Sequence, residues 1–167
     1  METDYSYITS LQTLPKPSVI MSVGAPGCGK TTHMKHLAQT LNAVLVSSDD
    51  VRQWLQNSQT DHSRNTLIWR VIHDAVQVAI DADQIVVLDA MNTSPTFRAE
   101  QIELYSKFGA KELIALHFTA SLTQCLERNA ARTDENVPED FVKKAHQHST
   151  EYPPSVSEGF DRVIVIE

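Results

Sequence analysis

Eight residues, Gly24-Ala25-Pro26-Gly27-Cys28-Gly29-Lys30-Thr31, have the types and the spacing to hold a polyphosphate. They satisfy the pattern G-x-x-x-x-G-K-[ST]. Small residues let successive backbone N–H groups curl around phosphate oxygens, and a helix opening at the end of the loop adds a favourable dipole. The Lys30 ammonium can reach β- and γ-phosphates, and the Thr31 hydroxyl can bind Mg²⁺. Thr32 follows as a contact for the α-phosphate. The alternative is a glycine turn that opens a helix by chance.

Three further groups have chemistry to offer. Asp49, in Ser47-Ser48-Asp49-Asp50-Val51-Arg52, is a candidate base that orients an acceptor hydroxyl and takes its proton. Arg52, three residues on, can bind an acceptor phosphate if both point into one cleft. The competing reading makes Asp49 or Asp50 a helix N-cap and Arg52 a surface ion-pair partner. Asp89 ends an apolar run, where a carboxylate can sit near Mg²⁺, or can simply shape a turn with Asn92 and Thr93. Arg128 and Arg132 are four apart, on one face if a helix covers both. They can close over phosphates on the polar segment 133–138, or decorate a solvated helix end.

Positioning these groups requires alternating strands and helices. Apolar runs predict strands at 18–23, 43–46, 84–88, 112–118 and 162–166. Spacings of three and four predict helices at roughly 29–41, 50–57, 64–82, 95–108, 121–132 and 138–149. In 64–82 the apolar side is read as Ile68, Val71, Ile72, Ala75, Val76 and Ala79. Strands alternating with helices imply a mostly parallel sheet covered on both faces, with ligands outside the strands' carboxyl ends. Residues 1–17, ending in Pro15-Lys16-Pro17, read as a lead-in, and 18–167 as one domain.

Composition narrows the function. The chain has 167 residues, 41% of them apolar, which suits one core. No run approaches the roughly 18 apolar residues of a membrane span. The start, Met1-Glu2-Thr3-Asp4-Tyr5, lacks a signal-peptide pattern, and Cys28 and Cys125 stand far apart, which together suggest a reducing, cytoplasmic setting. Lys and Arg number 14 against 21 Asp and Glu, a net charge of −7. That balance opposes a broad nucleic-acid surface but allows a small focused basic site. The seven histidines show no zinc-site spacing. Trp54, Trp69 and Phe97 can stack on a base or serve packing.

From about Val19 to Val142 the chain resembles the P-loop polynucleotide 5′-kinases. The resemblance rests on the phosphate loop, on Asp49-Asp50-Val51-Arg52, on Asp89-Ala90-Met91-Asn92 followed by Pro95 and Arg98, and on Arg128-Asn129-Ala130-Ala131-Arg132 followed by Val137-Pro138. It implies a three-layer α/β P-loop NTPase fold of the kinase type, with a five-stranded, mainly parallel sheet. It implies ATP and Mg²⁺ as donor and metal, Asp49 as base, Arg52 on the acceptor phosphate, Arg132 on the ATP phosphates and Arg128 near the nucleotide. Ser48 stands where the bacteriophage member has a basic residue. The implied acceptor is the 5′-OH end of DNA or RNA. A small metabolite, nucleoside or antibiotic, or an ATPase switch without an acceptor, are the other readings the loop permits.

Overall fold

The computed structural model describes residues 5–133 and 136–167. Five strands, β1 (Ser18–Val23), β2 (Val44–Ser47), β3 (Ile85–Asp89), β4 (Leu113–Phe118) and β5 (Arg162–Ile166), form one sheet in the order β2-β3-β1-β4-β5. Every strand pairing is parallel. Among the described residues six α-helices connect them: α1 (Lys30–Leu41), α2 (Ser48–Gln56), α3 (Asn65–Asp81), α4 (Pro95–Phe108), α5 (Leu122–Ala130) and α6 (Glu139–Glu151).

Side chains alternate across the strands, so the sheet feeds two cores. Ile20, Val87, Ile114 and Leu116 pack with Met34 and Leu37 of α1, Cys125 of α5 and Val142 of α6. Val19, Met21, Val86, Leu88 and Ala115 pack with α3 and α4 through Ile68, Ile72, Val76, Ile102 and Tyr105. The result is the three-layer α/β P-loop architecture of the kinase type. No helix among the described residues is long and apolar enough to cross a membrane.

The α3 face differs from its expectation. The buried residues are Ile68, Ile72, Val76, Ala79 and Ile80, while Val71 is half-buried and Ala75 exposed. Two apolar stripes were available, and contact with the sheet selects one.

The lead-in has a packing role that its sequence did not display. Residues Ser6–Leu11 form a 3-10 helix, and Ile8, Leu11 and Leu14 enter the α1-side core. Leu11 has no solvent exposure. Leu11→Ala is therefore expected to destabilise the fold by about 2–5 kcal/mol, read as a lowered urea midpoint.

Register lines up the functional edge. Ser47 pairs with Asp89, and Met21 with Leu88, so Ser22, one residue before the end of β1, stands level with Ser47 and Asp89, which end β2 and β3. The turns that carry the candidate site residues leave the sheet together. This is the carboxyl edge at which the strand order reverses about β1, where ligands bind in open α/β sheets.

Candidate active site

The phosphate loop runs from the end of β1 into α1, and its glycines have structural reasons. Gly29 is the N-cap of α1 in a left-handed conformation (φ 97°), and Gly27 has φ 79°. A Cβ on Gly27 would overlap the backbone carbonyl of Cys125, so the loop packs directly on α5. Gly24, Ala25 and Cys28 are buried beneath the loop, whereas Pro26, Gly27, Gly29, Lys30, Thr31 and Thr32 line the cleft above it. Lys30 Nζ donates to the Ala25 carbonyl at 2.7 Å and lies 3.6 Å from Cys28 Sγ. The ammonium is thus held inside the loop's own curl.

That cleft has a volume of about 940 Å³ and is shared by Asp49 and Arg52 from the end of β2 and by Asp89, Asn92 and Thr93 from the end of β3. It sits at the upper end of the roughly 300–1,000 Å³ typical of small-molecule sites, which leaves room for a donor and an acceptor together. Among the described residues, Lys30, Arg52, Arg128 and Arg132 line it against two carboxylates, Asp49 and Asp89. An acidic chain of net charge −7 therefore concentrates cations at one place.

Ser47 caps α2, its side chain accepting from Asp50 N at 3.3 Å. This sets aside the competing reading in which Asp49 or Asp50 is the cap, and the Asp49 carboxylate lines the cleft. Arg52 is a buried residue, not a surface partner. Its Nη1 donates to Asp49 Oδ1 at 3.0 Å and its Nη2 to Asn65 Oδ1 at 3.1 Å. Its Nε–H is buried without a partner. A buried guanidinium donor left unpaired is costly, and a phosphate oxygen would satisfy it.

Asp89 is almost fully buried at the end of β3. Burial raises its pKa, opposed by the Lys30 charge and a hydrogen bond with Thr31, while Asp49 and Asp50 push it up further. Ser22 Oγ lies 3.5 Å away. A buried carboxylate next to the Thr31 hydroxyl suits a divalent cation. No group of three or more His, Cys, Asp and Glu among the described residues could hold one alone. Mg²⁺ commonly takes one or two protein ligands and completes its shell with phosphate and water, so this donor set fits it.

The arginine pair is arranged differently from its expectation. Helix α5 stops at Ala130 with Ala131 as C-cap, so only Arg128 is helical and Arg132 lies beyond the end. Asn129, buried, bonds both backbone groups of Val137: Nδ2 donates to its carbonyl at 2.7 Å and Oδ1 accepts from its N–H at 3.1 Å. These two bonds close the loop that bears Arg132. Arg132 Nη2 reaches Gln59 Oε1 at 3.1 Å. Asp134 and Glu135, in the middle of the segment read as a mobile lid, lie outside the described residues.

Arg98 does not join the cleft. It has no exposure, and it donates to Glu158 (2.6 and 2.8 Å), to the Asn92 and Thr93 carbonyls and to the Tyr152 carbonyl. It ties the Asn92–Thr93 turn to the chain after α6. Arg98→Ala is expected to cost about 3–5 kcal/mol by leaving Glu158 and these carbonyls unpaired. Denaturation should show that loss, with nucleotide affinity unchanged in the molecules that remain folded.

Sequence reasoning passed over Gln59, His62, Asn65, Ser94 and Phe141, which also line the cleft. Gln59 and His62 fall between the helices expected at 50–57 and 64–82, Asn65 opens α3, Ser94 caps α4 and Phe141 lies in the first turn of α6, so all five meet the site only through tertiary folding. Trp69 and Phe97 line the cleft as an edge-to-face pair with centroids 4.5 Å apart, whereas Trp54 is 75% exposed and outside it.

A family model described as AAA domain matches residues 19–152. The chain belongs to this AAA-domain family. The AAA domain also resembles solved structures whose identity is low enough to speak for fold alone. A chain of a Pnkp1/Rnl/Hen1 RNA repair complex superposes with a TM-score of 0.74 at 23% identity, over 89% of this chain and 48% of that one. The AAA domain thus spans about half the length of that relative. APS kinase CysC from Mycobacterium tuberculosis, in complex with AMPPNP and APS, gives 0.63 at 15% identity, over 91% and 90% of the two chains. Shikimate kinase from Acinetobacter baumannii, in complex with shikimate, gives 0.54 at 19%, over 94% and 86%.

Proposed function

We propose that this AAA domain transfers the γ-phosphoryl group of ATP to an alcohol, and that the alcohol is the 5′-OH end of DNA or RNA. The observation that carries the reading is the Asp49–Arg52–Asn65 chain of hydrogen bonds on the wall of the cleft that holds Lys30. A nucleotide switch needs the loop but has no use for a carboxylate and a guanidinium on the acceptor side.

The loop amides and Lys30 bind the β- and γ-phosphates, and Thr32 the α-phosphate. Lys30 exchanges its internal bond to the Ala25 carbonyl for phosphate oxygens. Thr31 and Asp89 would hold Mg²⁺, which when bound neutralises charge on the β- and γ-phosphates. Asp49 accepts the acceptor's proton as its oxygen bonds to the γ-phosphorus and the bond to the β-γ bridging oxygen breaks, releasing ADP. Arg52 grips the acceptor's own phosphate through its unpaired Nε–H. Arg128 and Arg132 stabilise charge on the transferring group.

The net charge of −7 favours a second reading, in which the acceptor is a small hydroxyl compound that needs no extended basic track. One assay separates the two. The protein is incubated with Mg²⁺, γ-labelled ATP and either 5′-OH oligonucleotides or a panel of sugars, nucleosides and hydroxy acids. Label on the oligonucleotide 5′ end is expected. Label only on a small acceptor would replace the first reading with the second, and phosphate release without any labelled acceptor would replace both.

A further inference from the structure

Resting on the acceptor reading above, we propose that Trp69 is a base-stacking surface, so the acceptor hydroxyl belongs to a nucleoside unit whose aromatic base lies against Trp69 and Phe97. The argument begins with helical spacing. Asn65, which holds Arg52, and Trp69 are four apart on α3 and share one face. Asp49, Arg52, Asn65 and Trp69 therefore follow one another along a single wall of the cleft. A nucleoside 3′-phosphate radiates three groups from one ribose: the 5′-hydroxyl, the 3′-phosphate and the base. The wall supplies a carboxylate, a guanidinium and an aromatic surface in turn.

The aromatic part is held rigid. Phe97, in the first turn of α4, meets Trp69 at 78°. Behind Trp69, His73 packs at 5.6 Å and in turn meets Tyr105 at 5.8 Å. Tyr105 is fully buried in the α3–α4 core. Trp69 itself is only half-buried and lines the cleft. A fixed indole with an accessible side is suited to stacking, which costs it little ordering entropy. A linear polyol would gain nothing from it.

The test uses Trp69 as its own reporter. The protein has two tryptophans, and Trp54→Phe removes the exposed one outside the cleft. In that background three acceptors are compared: a 5′-OH oligonucleotide, the same strand with an abasic 5′ residue, and a nucleoside 3′-monophosphate. Saturable quenching of Trp69 by the first, lost with the abasic strand, is expected. KM for the abasic strand should rise about 5- to 150-fold, the range for one base–aromatic stack. Trp69→Leu should raise KM for the intact strand by a similar factor and leave the abasic strand unaffected, with ATP affinity unchanged. Trp69→Phe should restore most of the loss.

Labelled oligonucleotides with equal KM for intact and abasic ends would overturn the stacking role and leave the 5′-kinase reading in place. Label and quenching with the monophosphate alone would support stacking and move the acceptor to a free nucleotide. Neither label nor quenching with any of the three would overturn both.

Discussion

Asp49→Asn is expected to fold and bind ATP as the wild type does while phosphoryl transfer falls by about 10²–10⁴-fold, the range for loss of a positioned base. The structural cost is small for three reasons. Ser47, not Asp49, caps α2, so the cap survives. The Asp49 side chain is 45% exposed, which limits what its ion pair contributes. The amide oxygen of Asn still accepts from Arg52 at the position Asp49 Oδ1 holds now. What is lost is the proton acceptor. A loose phosphoryl-transfer transition state asks first for an oriented hydroxyl and takes its proton late. Arg52 supplies that orientation. Isothermal titration with a non-hydrolysable ATP analogue and single-turnover transfer separate the two steps. Wild-type turnover in the variant would remove Asp49 as the base.

The parts of the site legible in the sequence are those made by neighbours in the chain. The phosphate loop needs only its own residues and the helix that follows. The runs Ile85–Leu88 of β3 and Leu113–Leu116 of β4 are apolar throughout because both their faces are covered. The Asp89 position followed from where such a run ends. What could not be read depended on contacts between distant residues. Arg98 follows Asn92 and Pro95 in the sequence, but its partners Glu158 and Tyr152 lie about sixty and fifty-four positions away. Arg132 was placed on a helix that stops before it, and the bonds that set the turn join Asn129 to Val137 across the loop. The lead-in carried no periodic signal over its six-residue 3-10 helix, yet Leu11 reaches the centre of one core. The same limit applies to Trp69: residue type allows packing or stacking, and only folding brings it to the cleft wall.

Asp89→Asn tests the opposite balance, a residue that costs stability and serves chemistry. Burial is the main cause of its raised pKa, and Lys30 and Thr31 offset only part of it. The folded state therefore holds this proton more tightly than the unfolded chain does. Stability from this group is fully present below the ordinary Asp pKa and is lost as pH rises through the raised folded value. At pH 7–8, with nucleotide absent and metal chelated, the ionised carboxylate is a net burden. The neutral Asn, still able to accept from Thr31 and Ser22, is expected to unfold at an equal or higher temperature than the wild type. The difference should shrink and then vanish as the pH is lowered towards 4. Transfer should move the other way. Without the carboxylate, the Mg²⁺ concentration that half-activates the reaction is expected to rise about 10- to 100-fold. A lower melting temperature at pH 8 would show that Asp89 is a structural anion whose pairing with Lys30 holds the loop together. An unchanged Mg²⁺ requirement would remove Asp89 from the metal site and leave Thr31 as its protein contact.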